Sequence, residues 1–274
     1  MSDSFFRTIV ISATDVAAFP DAIRRMREGA FEGIILRGVY DRATCARIQD
    51  RLEADDHGLI RSFFPARMKA YFLGINLNLA SPDLTVYFQN APIFASRLKQ
   101  VFAGSIDLQS RVSSLLASLD RGRCYAAVPG PSADIHHMFT TLRAHLPGGF
   151  IPPHFDNEQA FRHSYRMVTP LIGTDLFSFV LAFSRADTGG ALEIFNLHHG
   201  GRPYRMADGP DDASHIHLDD VEKVSFRLEP GEMILFNSGR FLHRVTQVEG
   251  STTRWTACSF MAESRAADRV YCWG

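Results

Sequence analysis

The chain has 274 residues, 46% of them hydrophobic, which is enough for a packed core in one large domain or two small ones. Lys and Arg together number 29, and Asp and Glu together number 30, so the formal net charge is −1. This even balance excludes a strongly basic surface for nucleic acid or for an anionic membrane.

The first 123 residues are predicted to form an α-rich region with few strands that packs on the rest of the chain. The segment GIILRGVY (33–40) is rich in β-branched residues and predicts a strand. Asp41 follows it and offers an N-cap to a helix over residues 42–55, where apolar residues recur at helical spacing.

Two more helices are predicted before residue 123. One lies within residues 83–104, where Pro92 is expected to start or break a helical segment. The other spans 107–122 and is closed by Gly122.

From residue 124 to 274 the pattern changes to short β-strands separated by turns, which indicates a mostly β core. Turn signals such as VPGPS, LPGG, DTGG, EPGE and NSGR separate the strands. About eight strands at this spacing predict a sandwich or jelly roll, that is, a double-stranded β-helix, with an insert loop at 197–220. The predicted strands are RCYAAV, HHMFTTLRAHL, LFSFVLAF, ALEIFN, KVSFRL, EMILFN, HRVTQV and TRWTACSFMA.

The cysteines and the N-terminus predict a soluble cytoplasmic protein. The four cysteines are scattered without a C-x-x-C pair, which favours reduced thiols over disulfides or a zinc cage. The N-terminal residues MSDSFFRTIV do not resemble a signal peptide, and no apolar stretch approaches the roughly 20 residues that span a bilayer.

The segment PHFDN (153–157) contains two metal-ligand side chains, His154 and Asp156, at a spacing of two. Alternate residues of an extended chain point to the same face, so the imidazole and the carboxylate can converge on one ion. Alone this pair equally fits a polar turn. A distant strand supplies His243 as a third donor, and two imidazoles with one carboxylate form the facial triad of non-haem Fe(II) oxygenases.

Arg254 and Thr256 share one face of a later predicted strand. A guanidinium inside a barrel requires an anionic partner, and a dicarboxylate that also reaches the metal provides one. Thr256 is expected to donate a further hydrogen bond to the same ligand.

Three segments together resemble the Fe(II)/2-oxoglutarate-dependent dioxygenases, most closely the prolyl-4-hydroxylase-like branch. A P-G turn precedes the H-x-D, a G-G-x-L strand follows it, and a P-G-x-x-x-x-F strand leads into the distal histidine. The resemblance covers about residues 138–261. The segments are RAHLPGGFIPPHFDN, FSFVLAFSRADTGGALEIFN and LEPGEMILFNSGRFLHRVTQVEGSTTRWTACSF.

The resemblance implies that His154, Asp156 and His243 bind Fe(II), and that Arg254, assisted by Thr256, binds the distal carboxylate of 2-oxoglutarate. The co-substrates are then 2-oxoglutarate and O₂, and no catalytic side chain is expected beyond the metal centre. The branch often has an aromatic hydroxyl nine residues before the first ligand histidine, where this chain has His145.

Arg143 lies on the same predicted strand face as His145, and polar residues on that face suggest pocket lining. Both are candidate residues for binding 2-oxoglutarate. Contact with the substrate and a purely internal hydrogen-bond network remain open alternatives for each of them.

The segments HFDN, FSFVLAF and GGALEIFNL are also similar to a bacterial subgroup that acts on free amino acids and contains radical halogenases and related hydroxylases. In the halogenases of this superfamily, Gly or Ala replaces the carboxylate ligand and opens a site for chloride. Asp156 fills that position here, so the resemblance implies hydroxylation.

The function expected from the sequence is therefore hydroxylation of an unactivated C–H bond in a small polar substrate, such as a free amino acid or a natural-product intermediate, with conversion of 2-oxoglutarate to succinate. Desaturation, cyclisation and hydroxylation of a protein side chain are alternatives with the same cofactor. Two further classes are an iron oxygenase that does not use 2-oxoglutarate and a jelly roll that only senses a metal or ligand. A rival metal motif, HIH (215–217), lies in the acidic insert loop, where no third ligand is evident.

Overall fold

The structure is a computed structural model that describes residues 4–201, 204–205 and 216–274. The α-helices are α1 (Ala22–Arg27), α2 (Arg42–Ala54), α3 (Thr85–Val101) and α4 (Leu108–Leu119). Short 3₁₀ helices are Val16–Ala18, Ala66–Met68, Leu77–Leu79, Asp156–Phe161, His163–Tyr165, Thr169–Leu171 and Leu218–Asp220. The strands are β1 (Thr8–Ser12), β2 (Gly33–Arg37), β3 (Arg61–Phe63), β4 (Ala70–Leu73), β5 (Cys124–Ala127), β6 (Thr141–His145), β7 (Ile151–His154), β8 (Phe177–Ala182), β9 (Thr188–Gly189), β10 (Leu192–His198), β11 (Tyr204–Arg205), β12 (Ile216–His217), β13 (Lys223–Phe226), β14 (Met233–Phe236), β15 (Phe241–Val245), β16 (Val248–Glu249), β17 (Arg254–Glu263) and β18 (Arg269–Trp273).

Two sheets form the centre of the protein. The larger runs in the order β1-β2-β14-β8-β17-β6-β4-β3, and β18 joins it by pairing with both β17 and β5. The smaller runs in the order β13-β10-β15-β7. All eight strands expected after residue 123 are present, and the predicted jelly-roll fold is confirmed.

Side-chain alternation gives the large sheet two apolar faces. Leu181 of β8 and Leu235 of β14 belong to the main core, which also contains the apolar residues of α2, α3 and α4. Their neighbours in sequence, Ala182 and Ile234, face the opposite side and pack with Ile194 of the small sheet. The helices therefore cover the outer face of the large sheet, and the space between the sheets is left for a site.

The predicted N-cap of α2 is present, because the Asp41 carboxylate accepts a hydrogen bond from the Thr44 backbone N–H at 2.6 Å. The expectation for Pro92 is wrong, since α3 continues through it without interruption. An interior proline costs about 3 kcal/mol. Each large apolar side chain that the helix buries contributes roughly 1.5–3 kcal/mol, and Tyr87, Phe94 and Leu98 are among several.

The first 123 residues also contribute strands to the large sheet. β2 pairs with β14, and β4 pairs with β6, so β1–β2 and β3–β4 extend the sheet on its two sides. Of these four strands, the sequence predicted β2 alone. None of the helices in the described part of the chain is both long enough and apolar enough to cross a membrane.

Candidate metal centre

Two neighbouring strands of the small sheet bring His154 and His243 together. β7 and β15 pair in antiparallel register, with His154 directly opposite His243. The two imidazole centroids are 4.2 Å apart. Both side chains lie on the face of the small sheet that looks toward the large sheet, because Ile194, the β10 neighbour of His243, belongs to the apolar cluster between the sheets.

The backbone fixes the orientation of both imidazoles. Nδ1 of His154 lies 2.8 Å from the carbonyl oxygen of Pro152, and Nδ1 of His243 lies 3.0 Å from that of Phe241. A carbonyl oxygen only accepts, so each Nδ1 carries the proton and each Nε2 presents a lone pair. This is the state of histidine that binds a metal ion.

Asp156 lies within reach of both free imidazole nitrogens. Its Oδ1 is 3.6 Å from Nε2 of His154 and 3.7 Å from Nε2 of His243. Its backbone N–H donates to the carbonyl oxygen of Ser238 at 3.2 Å, which ties the residue to the turn before β15. These separations are too long for hydrogen bonds, but they suit one ion roughly 2 Å from each ligand.

The three side chains are largely shielded from water. Asp156 is 3% exposed and His243 is 6% exposed, and the ring of Phe236 packs edge-on against His243 at 5.1 Å. Burial, and next the proximity of His243, lowers the pKa of His154 to about 4, although Asp156 opposes the shift. The His154 imidazole is therefore neutral near pH 7.

The three predicted ligands fit a divalent metal ion. Their ligand atoms lie within 4.8 Å of one another, and within the described residues this is the one group of three or more such side chains. Two nitrogen donors and one carboxylate oxygen form the donor set of the facial triad. The predicted set of His154, Asp156 and His243 is thus assembled at one point.

Arg254 lies in the same cavity without an acidic partner. It is 7% exposed, and none of the ion pairs of the described residues includes it. Burial lowers the pKa of its guanidinium to about 10, which still leaves it charged near pH 7. A buried cation of this kind requires an anion, and the distal carboxylate of 2-oxoglutarate fits that requirement.

His145 lies directly opposite Arg254, on β6. Nη1 of Arg254 donates to Nδ1 of His145 at 3.4 Å, so the imidazole proton resides on Nε2. Burial, reinforced by the positive charges of Arg254 and Arg143, holds the pKa of His145 well below its usual value. His145 is therefore neutral, and its Nδ1 can accept a hydrogen bond from the Arg254 guanidinium.

Thr256 and Arg143 form the next cross-strand pair on the same face. Thr256 is completely buried, and its Oγ1 lies 3.6 Å from Sγ of Cys258. Arg143 lines the cavity with Arg254, whereas His145 and Thr256 contribute no surface to it. The structure thus brings all four predicted co-substrate residues to one patch, with two of them beneath the surface.

The cavity between the sheets has a volume of about 430 Å³. Its walls are mainly apolar. Its polar lining consists of the triad, the two arginines and seven other residues, namely Asn76, Asn78, Glu158, Arg162, Ser178, Cys258 and Ser259. A larger cleft of about 580 Å³ lies beside α3 and β5 and contains no predicted site residue. The apolar wall residues are Phe64, Pro65, Met68, Phe72, Leu79, Ile151, Pro152, Phe179, Val180, Leu192, Phe236, Val245 and Phe260.

Several cavity residues were missed by sequence reasoning, notably Asn78 and Phe64, which come from the first 123 residues. Asn78 Oδ1 accepts a hydrogen bond from the Tyr165 hydroxyl at 2.6 Å, which fixes its amide at the cavity wall. Neither residue belongs to a recognisable motif. The available signal was general, namely the 22 phenylalanines that suit an apolar pocket wall.

Half of the predicted insert loop at 197–220 lies outside the described residues, as does His215 of the rival HIH motif. At the start of the loop, the His198 ring packs edge-on against Phe241 at 4.9 Å. The ring of His199 makes a similar contact with Phe155 at 5.4 Å. Both histidines therefore have packing partners next to β15 and β7.

Comparison with solved structures identifies the same fold in other proteins. An N-substituted L-amino acid dioxygenase from Burkholderia ambifaria AMMD, in complex with alpha-KG, is similar with a TM-score of 0.56 and 16% identity over 94% of this chain and 91% of that chain. A second structure of a dioxygenase of that description gives a TM-score of 0.55 and 17% identity, covering 93% and 91% of the two chains. A 2OG-Fe(II) oxygenase family protein from Burkholderia pseudomallei gives a TM-score of 0.49 and 17% identity over 98% of each chain.

The comparison with protein families covers nearly the whole sequence, whereas no curated protein sequence matches significantly. Residues 5–274 match the family described as carrier-protein-independent halogenase WelO5. The resemblance noted in the sequence, to Fe(II)/2-oxoglutarate-dependent dioxygenases and to the subgroup with radical halogenases, is thereby confirmed. The chain belongs to the carrier-protein-independent halogenase WelO5 family and is an Fe(II)/2-oxoglutarate-dependent oxygenase.

Proposed function

We propose that this oxygenase hydroxylates an unactivated C–H bond of a small polar molecule, either a free amino acid or a natural-product intermediate. His154, Asp156 and His243 are the iron ligands in this proposal. The single observation that carries it is the buried Asp156 carboxylate, whose Oδ1 faces the Nε2 atoms of both histidines at 3.6 and 3.7 Å.

The position of Asp156 favours hydroxylation over halogen transfer, although the chain belongs to a halogenase family. Halogenases of this superfamily have Gly or Ala at the carboxylate position, which leaves room for chloride at the metal. Here a carboxylate occupies that position. The carboxylate is also negatively charged. It would repel a chloride ion strongly, because burial excludes the water that weakens such repulsion.

The protein's own residues bind and orient the reactants. When bound, Fe(II) with 2-oxoglutarate and O₂ supplies the oxidising power that inserts oxygen into a C–H bond. Arg254 holds the distal carboxylate of 2-oxoglutarate, with Thr256 and the neutral His145 behind it. The apolar walls keep water away from the reaction and leave a cavity of about 430 Å³ for both organic molecules.

The choice of substrates to test follows from the cavity and from the solved structure with the higher TM-score. That protein is an N-substituted L-amino acid dioxygenase, and its 16% identity to this chain supports a shared fold alone. Free L-amino acids and their N-substituted derivatives are nevertheless the rational starting panel, because they combine a carboxylate with an apolar side chain.

The experiment is an anaerobic reconstitution with Fe(II) and 2-oxoglutarate, followed by addition of O₂, the substrate panel and either chloride or no halide. We expect succinate formation coupled to a product that has gained one oxygen atom, unchanged by chloride. The matched control is His243→Ala, which loses the coupled reaction. A chlorinated product from the native protein would reject hydroxylation, whereas a product that has lost two hydrogens would assign desaturation or cyclisation.

A sensing role predicts a different result in the same experiment. The protein would bind Fe(II) and 2-oxoglutarate but would form no succinate, either with or without a member of the substrate panel. That result would favour a metal- or ligand-sensing jelly roll.

A further inference from the structure

Arg143 is a second cation in the metal-site cavity, and it has no acidic partner among the described residues. It projects from β6 beside Arg254 and opposite Thr256. Its Nε is buried without any hydrogen-bond partner. Because a buried N–H group without a partner costs about 1–3 kcal/mol, this arrangement points to a ligand that supplies an acceptor.

Two aromatic rings hold the Arg143 guanidinium in place. Its Cζ lies 4.8 Å from the ring centroid of Phe72 and 5.7 Å from that of Phe64. These two rings also pack on each other, with centroids 4.7 Å apart. Ring faces attract the cation but leave its N–H groups, which lie in the guanidinium plane, available for an oxyanion.

The charges of the loaded site identify what kind of ligand is missing. Fe(II) brings two positive charges, and Arg254 and Arg143 bring one each. Asp156 would contribute one negative charge and 2-oxoglutarate two. One positive charge is left over. At the cavity mouth, Glu158 and Arg162 carry opposite charges, so the rim does not change the balance.

In the loaded site, the metal and Arg254 would account for both carboxylates of 2-oxoglutarate, the metal for one and the guanidinium for the other. We propose that Arg143 binds a carboxylate of the primary substrate and so restricts the enzyme to molecules that combine one carboxylate with an apolar body. The apolar part then lies along the walls formed by residues such as Met68, Leu79 and Val180. This inference rests on the proposed function and adds the substrate class to it.

The test measures binding without turnover, using the anaerobic complex of the protein with Fe(II) and 2-oxoglutarate. The probes are L-leucine, L-phenylalanine and their N-acetyl derivatives, each compared with its primary amide by calorimetric titration. We expect at least one acid to bind the native protein about 10-fold more tightly than its amide. Arg143→Gln should weaken binding of that acid by roughly 10- to 100-fold and leave the amide unchanged.

Two further variants separate charge from folding. Arg143→Lys keeps the positive charge and should retain part of the preference for acid over amide. Arg25→Gln is the matched control. Arg25 also stacks on a phenylalanine, with its Cζ 5.7 Å from the Phe31 centroid, but it is an exposed residue of α1 that does not line the metal-site cavity. It should bind every probe as the native protein does.

The affinity for 2-oxoglutarate shows whether Arg143 binds the substrate or the co-substrate. We expect Arg143→Gln to bind 2-oxoglutarate within about threefold of the native affinity. A loss of tenfold or more would assign Arg143 to the co-substrate and overturn the inference while leaving the proposed hydroxylation intact. If no acid binds the native protein more tightly than its amide, the inference also fails. Failure of the hydroxylation itself is read separately, from succinate formation.

Discussion

A single carboxylate sets the chemistry of this metal centre at the scale of the residue. Asp156 is 3% exposed and shares its Oδ1 between two imidazoles that backbone carbonyls hold in place. Its proposed role as an iron ligand can be tested with any substrate that the panel identifies. Metal binding and 2-oxoglutarate consumption both depend on the ligand set.

Asp156→Gly should therefore lower the hydroxylation rate by at least about 100-fold. Replacing a residue that only supports a metal ligand typically lowers activity or metal affinity 10- to 100-fold, and loss of the ligand itself should have at least as large an effect. The variant should also open a site for chloride at the metal. Product analysis with and without chloride measures both effects. Asp175→Gly, at an exposed loop residue, is the control. Hydroxylation by Asp156→Gly at the native rate would remove Asp156 from the site.

Arg254 is the second residue whose removal has a defined cost. Arg254→Ala takes away the buried cation that is proposed to bind the distal carboxylate of 2-oxoglutarate, and breaking such a pair costs about 3–5 kcal/mol. The affinity for 2-oxoglutarate should fall by roughly two to four decades in calorimetric titration. Arg254→Lys keeps the charge but not the forked geometry, so it should bind with intermediate affinity. Native affinity in the alanine variant would contradict this role.

At the scale of the element, the short strand β7 positions His154, the first predicted ligand histidine. β7 contains Pro152 and Pro153, which cannot donate to a ladder, and it forms the edge of the small sheet. Its pairing with β15 shifts register between His243 and Val245. The sequence predicted β15 but not β7, since two prolines argue against a strand unless its edge position is known.

The other strands missed by sequence analysis have a comparable cause. β3 and β4 are three and four residues long, and β4 is buried at every position, so no alternating pattern marks it. The site residues after position 138 were predictable because they follow motifs in order along the chain. The sequence did not predict three other cavity residues, Phe64, Phe72 and Asn78. They reach the cavity only through the pairing of β4 with β6 and through the turn that follows.

The turn between β14 and β15 carries a prediction of its own. A Cβ at Gly239 would lie 2.2 Å from Oδ1 of Asn157 and 2.9 Å from the carbonyl oxygen of Leu176. Gly239→Ala must therefore displace the residue next to Asp156. We expect about 10-fold weaker iron binding and a loss of roughly 1–3 kcal/mol in unfolding free energy.

Gly173→Ala is the matched control for this turn, because its Cβ would meet only the carbonyl oxygen of Glu263, at an ordinary 3.6 Å. Iron titration and urea unfolding of both variants measure the difference. Equal iron affinity in the two variants would show that the turn does not position Asp156.

At the scale of the whole molecule, buried neutral histidines connect stability to pH. His137 is 2% exposed and packs edge-on against Phe88 at 4.9 Å. Burial lowers its pKa to about 4, from an ordinary value near 6.5. Between these values the unfolded chain binds a proton that the folded protein excludes, so stability is lost as the pH falls through this window.

The contribution of His137 should amount to about 2 kcal/mol between pH 7.5 and pH 5. His137→Gln removes the titrating group, so its unfolding free energy should depend less on pH by that amount. Urea unfolding of both proteins at the two pH values provides the measurement. An unchanged pH dependence in the variant would show that His137 is protonated in the folded state.

The large sheet separates the metal-site cavity from the aromatic core. Trp255 follows Arg254 on β17 but faces the opposite side, where its ring meets Tyr71 edge-on at 5.9 Å. The indole is 2% exposed. Its emission should therefore depend on its surroundings inside the protein rather than on solvent. Because Trp255 is next to Arg254 in the chain, we expect a change in its fluorescence when a dicarboxylate binds that guanidinium.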